Sequence, residues 1–196
     1  HGLDAFGFDP AGCHALDIGA STGGFTQVLL ERGADHLTAI DVGTGQMDAR
    51  IAGDPRVTAL EGVNARHLGM EHLCAGAPDF LVSDVSFISL KLALPPALAL
   101  AAPGARAIFL VKPQFEAGKG NIGKKGLLKD IALGPRIATE LERWLTREHR
   151  IQVVSSGRSA LALSPSTSEE LNVFIISYEM MKKYHTQLIA CVWDIL

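Results

Sequence analysis

Short apolar runs alternate along the chain with longer segments in which apolar residues recur every three or four positions. Such alternation belongs to a parallel sheet joined by crossover helices, so the expected fold is α/β. Seven strands are predicted, at Ala15–Ile18, Leu37–Val42, Val57–Glu61, Phe80–Asp84, Arg106–Lys112, Ile151–Gly157 and Asn172–Tyr178. Helices are predicted near Phe25–Arg32, Leu90–Ala101 and Ile131–His149, the last an amphipathic surface helix carrying Arg143 and Trp144. No linker interrupts the series, which predicts one domain over residues 1–179. The remainder, 180–196, with Met181, Leu188, Ile189, Val192 and Trp193, has the pattern of an amphipathic tail that packs on its own domain or on a neighbour.

Composition narrows the class. At 196 residues, 47% hydrophobic and 20% charged, the chain can bury one substantial core, and it contains no repeat or low-complexity tract. No run of about 18 uncharged apolar residues is present to span a bilayer, and no secretion signal is recognisable. The cysteines, Cys13, Cys74 and Cys191, are odd in number and form no CxxC pair, so neither a zinc site nor a disulfide frame is expected, and a cytoplasmic setting fits. The seven histidines, His67 and His72 among them, lack ligand spacing and are expected to be surface or capping residues, with no metal bound. A net charge of −3 argues against binding nucleic acid over the whole surface but leaves room for a local basic patch.

Candidate chemistry begins at Leu16-Asp-Ile-Gly-Ala-Ser-Thr-Gly-Gly-Phe25, where a strand ends at Ile18 and Gly19, Gly23 and Gly24 lead into a helix. Glycines let the backbone press against a ligand, and a helix start offers N–H groups with no partner inside the helix. The run reads G-x-x-x-G-G, which departs from the dinucleotide fingerprint G-x-G-x-x-G. A phosphate-binding P-loop is excluded, because no lysine occurs between His1 and Asp84. The spacing D-x-G-x-x-x-G-G resembles that of class I methyltransferases, in which this loop cradles the methionine part of S-adenosylmethionine. On that reading Asp17, Gly19, Ala20, Ser21, Thr22, Gly23, Gly24 and Phe25 form the cofactor loop. Asp41, 24 residues after Asp17 and followed by Val42, would place a carboxylate at the next strand tip for two ribose hydroxyls. Asn64 could meet an adenine edge or simply cap a turn, and both readings stand.

The fourth and fifth strands each deliver one charge to a C-terminal tip, Asp84 and Lys112. In a doubly wound sheet these tips flank the cofactor crevice, so the two can face one another over the transferred group. A lysine–aspartate pair suits methyl transfer to oxygen, because an alcohol is a poor nucleophile until a neighbour draws its proton away. The alternative is a structural salt bridge. Nearby, Lys119, Lys124, Lys125 and Lys129 lie among glycines and could hold phosphates, or could form a solvated loop. Phe87 and Phe115 are the aromatic residues placed to stack unpaired bases, although Phe87 is expected in the core.

Several motifs together resemble the TlyA/hemolysin-A family: Asp17 to Thr26, Ala39 to Gly43 with Gly45-Gln46, Asp54 to Val57, Asn64 to Arg66, Asp84 to Leu90 and Lys112 to Gly118. The likeness runs to about Pro165, and its last two motifs are the most specific. It implies a Rossmann-like class I methyltransferase of FtsJ type, with a seven-stranded, mostly parallel sheet and helices on both faces. It further implies action on 2′-hydroxyls of ribosomal RNA through a lysine–aspartate–lysine–glutamate group. Asp84 is then the aspartate, also beside the cofactor, and Lys112 the second lysine. The first lysine and a small N-terminal RNA-binding domain are expected upstream of His1, so this stretch is expected to be inactive alone and weak for RNA. The family's glutamate follows an asparagine in the last strand, whereas this chain reads Asn172-Val-Phe174, leaving Glu170 as the substitute. The competing functions are a small-molecule or protein methyltransferase, which a deep closed pocket over Asp84 would favour, and a non-catalytic hemolysin-like binding module. Lysis itself is not expected as a direct activity.

Overall fold

The computed structural model describes residues 2–149, 152–156 and 172–177. Five strands with described side chains form most of its sheet: β1 (His14–Ile18), β2 (His36–Asp41), β3 (Val57–Glu61), β4 (Phe80–Ser83) and β5 (Arg106–Val111). Two more, β6 (Gln152–Ser156) and β7 (Asn172–Ser177), extend it beyond β5 by backbone pairing. The order is β3-β2-β1-β4-β5-β7-β6, and each adjacent pair is parallel. The chain therefore starts at the middle, winds outward through β2 and β3, and returns to β4 on the other side of β1. That reversal opens a crevice beside the C-terminal tips of β1 and β4.

Both faces of the sheet are covered because successive residues of each strand point to opposite sides. Leu16, Ile18, Leu81, Ala107, Phe109 and Val111 pack against Leu90, Ala93, Leu94, Ala97, Ile137, Leu141 and Leu145 on one face. Ala15, Leu37, Phe80, Val82 and Ile108 pack against Leu29, Leu30 and Ile51 on the other. Burial of each large side chain among these contributes about 1.5–3 kcal/mol relative to exposure.

The second face is covered by α1 (Gly2–Phe6), α2 (Gly24–Glu31) and α3 (Ala49–Ala52). The first is covered by α4 (Leu90–Ala93), α5 (Pro95–Leu100) and α7 (Leu133–Glu148), while α6 (Pro113–Glu116) is a single turn following β5. The predicted helix Leu90–Ala101 is thus two helices. Pro95 has no N–H to continue the ladder and its ring collides with the preceding turn, so α4 stops before it and Pro95 opens α5. In α7, Ile137, Leu141 and Leu145 recur every fourth position and are buried, as the amphipathic pattern requires. Glu170 and the tail 180–196 lie outside the described residues.

Candidate active site

The turn after β1 is built from backbone. Gly19 has φ +83°, and a Cβ there would fall 2.9 Å from Val85 Cγ1 and 3.1 Å from Val85 Cα. Its N–H and that of Ala20 both donate to the Ile40 carbonyl, at 2.9 and 3.1 Å, tying the turn to β2. Gly23, with φ +96°, precedes the first residue of α2, and a Cβ on it would sit 2.9 Å from Ile51 Cδ1. A Cβ on Gly24, by contrast, would meet open space. Ser21 also adopts positive φ, +49°, and its N–H donates to Asp41 Oδ2 at 2.9 Å. The Thr22 carbonyl accepts from the Asp48 N–H, and Phe25, the second residue of α2, is partly buried against the core.

Asp17 is fully buried beneath this turn. Thr26 Oγ1 donates to its Oδ2 at 2.7 Å, while Oδ1 is enclosed without a hydrogen-bond partner. Burial pushes the carboxyl up to about 7, with the Thr26 bonds opposing the shift.

Asp41 closes the far side of the crevice, its Oδ1 accepting from the Gly43 N–H at 2.7 Å and its Oδ2 from Ser21. Glu61 at the tip of β3 accepts from the N–H groups of Gly45 and Gln46 at 2.7 and 3.1 Å, which holds the segment after Asp41 and keeps the Glu61 carboxyl below its usual range. Val42 is 71% exposed at the crevice edge. Asn64 caps the 3-10 turn Ala65–His67, its Oδ1 accepting from Arg66 N–H at 3.1 Å, so of the two readings left open the capping one is occupied.

Asp84 and Lys112 are brought together as an ion pair, with Lys112 Nζ 2.7 Å from Asp84 Oδ1. The same ammonium donates to the Asp84 carbonyl at 3.2 Å and to Ser86 Oγ at 2.7 Å. Partial burial raises the Asp84 carboxyl above its ordinary range, and the Lys112 charge pulls it back.

Phe87 is not a core residue. It is 91% exposed, its backbone lies at φ +65°, and its ring rests against Phe115 at 5.1 Å between centroids. A positive φ on an aromatic residue costs about 1–3 kcal/mol and persists only where the surroundings over-determine it. Sequence reasoning also gave no role to Thr26, Glu61, Ser86 or Glu116. All four lie inside or beside motifs already singled out, but their partners lie between 9 and 27 positions away. Asn172 pairs with Arg106 and Phe174 with Ile108, so neither stands level with the Lys112 tip of β5.

His72 takes the capping role expected of it, its Nδ1 accepting from the Gly69 N–H at 3.0 Å. The four loop lysines Lys119, Lys124, Lys125 and Lys129 are exposed, with Lys129 Nζ donating to the Gly120 carbonyl at 2.8 Å. Among the described residues no helix is long and apolar enough to cross a membrane.

A parallel sheet that reverses between β1 and β4, with a glycine turn at the first tip and charged residues at the next two, defines a Rossmann-like methyltransferase domain. The chain belongs to the FtsJ-like methyltransferase family, whose model matches residues 1–173. It is 48% identical over 141 residues to the 16S/23S rRNA (cytidine-2′-O)-methyltransferase TlyA of Mycobacterium tuberculosis, covering 72% of this chain and 52% of that protein. It is 39% identical over 132 residues to Hemolysin A of Brachyspira hyodysenteriae, covering 67% of this chain and 55% of that protein. The crystal structure of a protein designated a hemolysin from Lactococcus lactis superposes with a TM-score of 0.71 at 38% identity, covering 74% of this chain and 70% of that one. The chain spans about half the length of the curated relatives it matches.

Proposed function

We propose that this domain transfers a methyl group from S-adenosylmethionine to a ribose 2′-hydroxyl of ribosomal RNA. The observation that carries the reading is the Lys112–Asp84 ion pair at 2.7 Å, on the tips of neighbouring strands beside the glycine turn. The family and the rRNA 2′-O-methyltransferase among the relatives support it.

The crevice fits the cofactor on its own terms. Gly19 and Gly23 let the turn pack against Val85 and Ile51, which a Cβ would strike, while Gly24 faces open space, and the enclosed Asp17 Oδ1 is a buried acceptor in want of a donor. Asp17 and the turn Gly19, Ala20, Ser21, Thr22, Gly23, Gly24 and Phe25 would hold the methionine part. Asp41 would take the ribose hydroxyls, with Val42 and Asn64 beside the adenine. When bound, S-adenosylmethionine supplies an electrophilic methyl group on a sulfonium.

The protein's own part is to make an alcohol nucleophilic. Asp84, its carboxyl raised by partial burial, is the better proton acceptor for that shift and takes the hydroxyl proton. Lys112 holds Asp84 in place and, by exchanging its contact with the exposed Ser86, turns an N–H toward the developing oxyanion. Glu170, expected as the acidic fourth member, is not assigned to the group: Asn172, two positions later, is level with Arg106 at the start of β5, at the far end of the strand from Lys112. The exposed Phe87, backed by the half-buried Phe115, supplies a face on which an unpaired base can stack, worth about 1–3 kcal/mol per base. Lys119, Lys124 and Lys125 approach the backbone phosphates. Cytoplasmic ribosomal RNA is the partner, engaged together with the part of the protein that the curated relatives carry beyond this stretch.

The test is methyl transfer from S-adenosylmethionine labelled in its methyl group to ribosomal RNA, by this chain joined to the part that the curated relatives carry beyond it. Label recovered in an alkali-stable dinucleotide is expected, because a 2′-O-methyl group blocks cleavage at that linkage. Label recovered on a base, or on protein, would contradict the proposal.

A further inference from the structure

Two loops carry the candidate chemistry, and beyond the last strand pairs no ladder bonds hold them together. The first runs from Asp84 to Leu90 and the second from Lys112 to Glu116. Lys112 secures the upstream end of the first loop through Asp84 and Ser86. The downstream end is secured by Glu116. Its Oε2 accepts from Ser89 Oγ at 2.5 Å and its Oε1 from the Leu90 N–H at 2.7 Å, 27 and 26 positions back along the chain. Ser89 Oγ in turn accepts from the Lys91 N–H at 3.2 Å, so one carboxylate closes the start of α4 both directly and through a hydroxyl. Between the two fastenings lies Phe87, exposed, at positive φ and against Phe115 of the second loop.

We propose that Glu116 is a positioning residue for methyl transfer: by clasping Ser89 and Leu90 it sets the separation of the Asp84 loop from the Lys112 loop. The inference rests on the methyltransferase reading above. Glu116 is not placed against the ion pair, so it acts through the loop it holds and not on the reacting atoms. A loop pinned at one end can pivot. Pinned at both ends, it keeps Asp84, Ser86 and the Phe87 ring in one arrangement relative to Lys112, and small misplacements of such groups cost a large part of a rate. The glycine turn after β1 is fastened separately, to Ile40 and Asp41, so cofactor affinity does not depend on the clasp.

The experiment compares the wild-type protein, Glu116→Gln, Ser89→Ala and the double variant, with kcat, KM for RNA and S-adenosylmethionine affinity measured for each. Glu116→Gln is expected to lower kcat about tenfold to a hundredfold while KM and cofactor affinity stay within about threefold. Ser89→Ala is expected to lower kcat in the same sense by less, and the double variant to be no worse than Glu116→Gln alone, because both changes undo one fastening. A cap that served stability only would leave kcat of the folded variants untouched, and that result would overturn the proposal. So would additive losses in the double variant, or a loss confined to cofactor affinity. If Glu116→Gln does not fold, Ser89→Ala carries the test, because it leaves the carboxylate and its bond to Leu90 in place. No methyl transfer to RNA by the wild type, assayed together with the part that the curated relatives carry beyond this stretch, would sink the underlying reading and the clasp with it; transfer by that wild type with unchanged variants sinks the clasp alone.

Discussion

The turn after β1 and the paired loops after β4 and β5 lie at neighbouring strand tips, yet they are made in opposite ways. The first is backbone: glycines at positive φ, N–H groups committed to Ile40 and Asp41, and one enclosed carboxylate beneath. The second is side chain: an ion pair, a serine, two aromatic rings and a glutamate spanning loops that share no ladder. A bound small molecule needs a cradle of fixed shape. A proton acceptor and a cation must instead be held at one spacing yet remain free to exchange partners. Binding and chemistry are therefore held by separate structures, and mutations should respect that boundary.

The largest effect is expected for Lys112→Ala, which should lower methyl transfer by about a thousandfold, at the upper end of what one donor aimed at a developing oxyanion contributes. A transfer assay at saturating cofactor checks it, and a loss of less than about tenfold would return the ion pair to a structural role.

Next comes the pH dependence of stability set by Asp17. Its folded carboxyl lies at about 7, above the ordinary value of 3.8, so folding disfavours the charged form. The resulting loss of stability is absent below about pH 4, grows as pH rises toward 7 and is complete above it. Asp17→Asn should therefore be more stable than the wild type at pH 8 by on the order of 2–4 kcal/mol and lose that advantage near pH 4. Urea midpoints at the two pH values decide it; equal advantages at both would show that the buried charge is not the cause.

A smaller cost, about 1–3 kcal/mol, is expected for Gly19→Ala, whose methyl group would press on the Val85 backbone at positive φ. Thermal unfolding reads it directly, and an unchanged midpoint would mean that the turn is not constrained as described. Smallest is Asp41→Ala, which removes the acceptor shared by Ser21 and Gly43 and should weaken S-adenosylmethionine by about tenfold with kcat little changed. An equilibrium titration beside a turnover measurement checks the split.

The same contrast explains what could be read from the chain. Parallel strands buried on both faces are short unbroken apolar runs, so β1 to β5 lie within a residue of their expected limits. The glycine turn and the charges at strand tips are local signals at fixed offsets, and Asp84 meeting Lys112 follows from the alternation of strands once the sheet is doubly wound. The apolar spacing from Leu90 continues through Pro95 and predicts one helix, although the missing N–H ends it there. Turns of four or five residues such as α1, α3 and α6 are too short to show a period. Phe87 gave no sign of its exposure, because an aromatic residue flanked by Val85 and Ile88 has the composition of core and only the backbone at +65° turns it outward. Ser86 and Glu116 acquire their roles when two loops 26 or more residues apart close on each other, which no local pattern encodes.

Calorimetric titration of S-adenosylmethionine into the wild type, Gly19→Ala and Lys112→Ala tests the separation of cradle from chemistry most directly. Saturable binding by the wild type is expected, with the same affinity within about threefold for Lys112→Ala and binding weakened at least tenfold for Gly19→Ala. Equal losses in both variants, or no binding by the wild type, would contradict it.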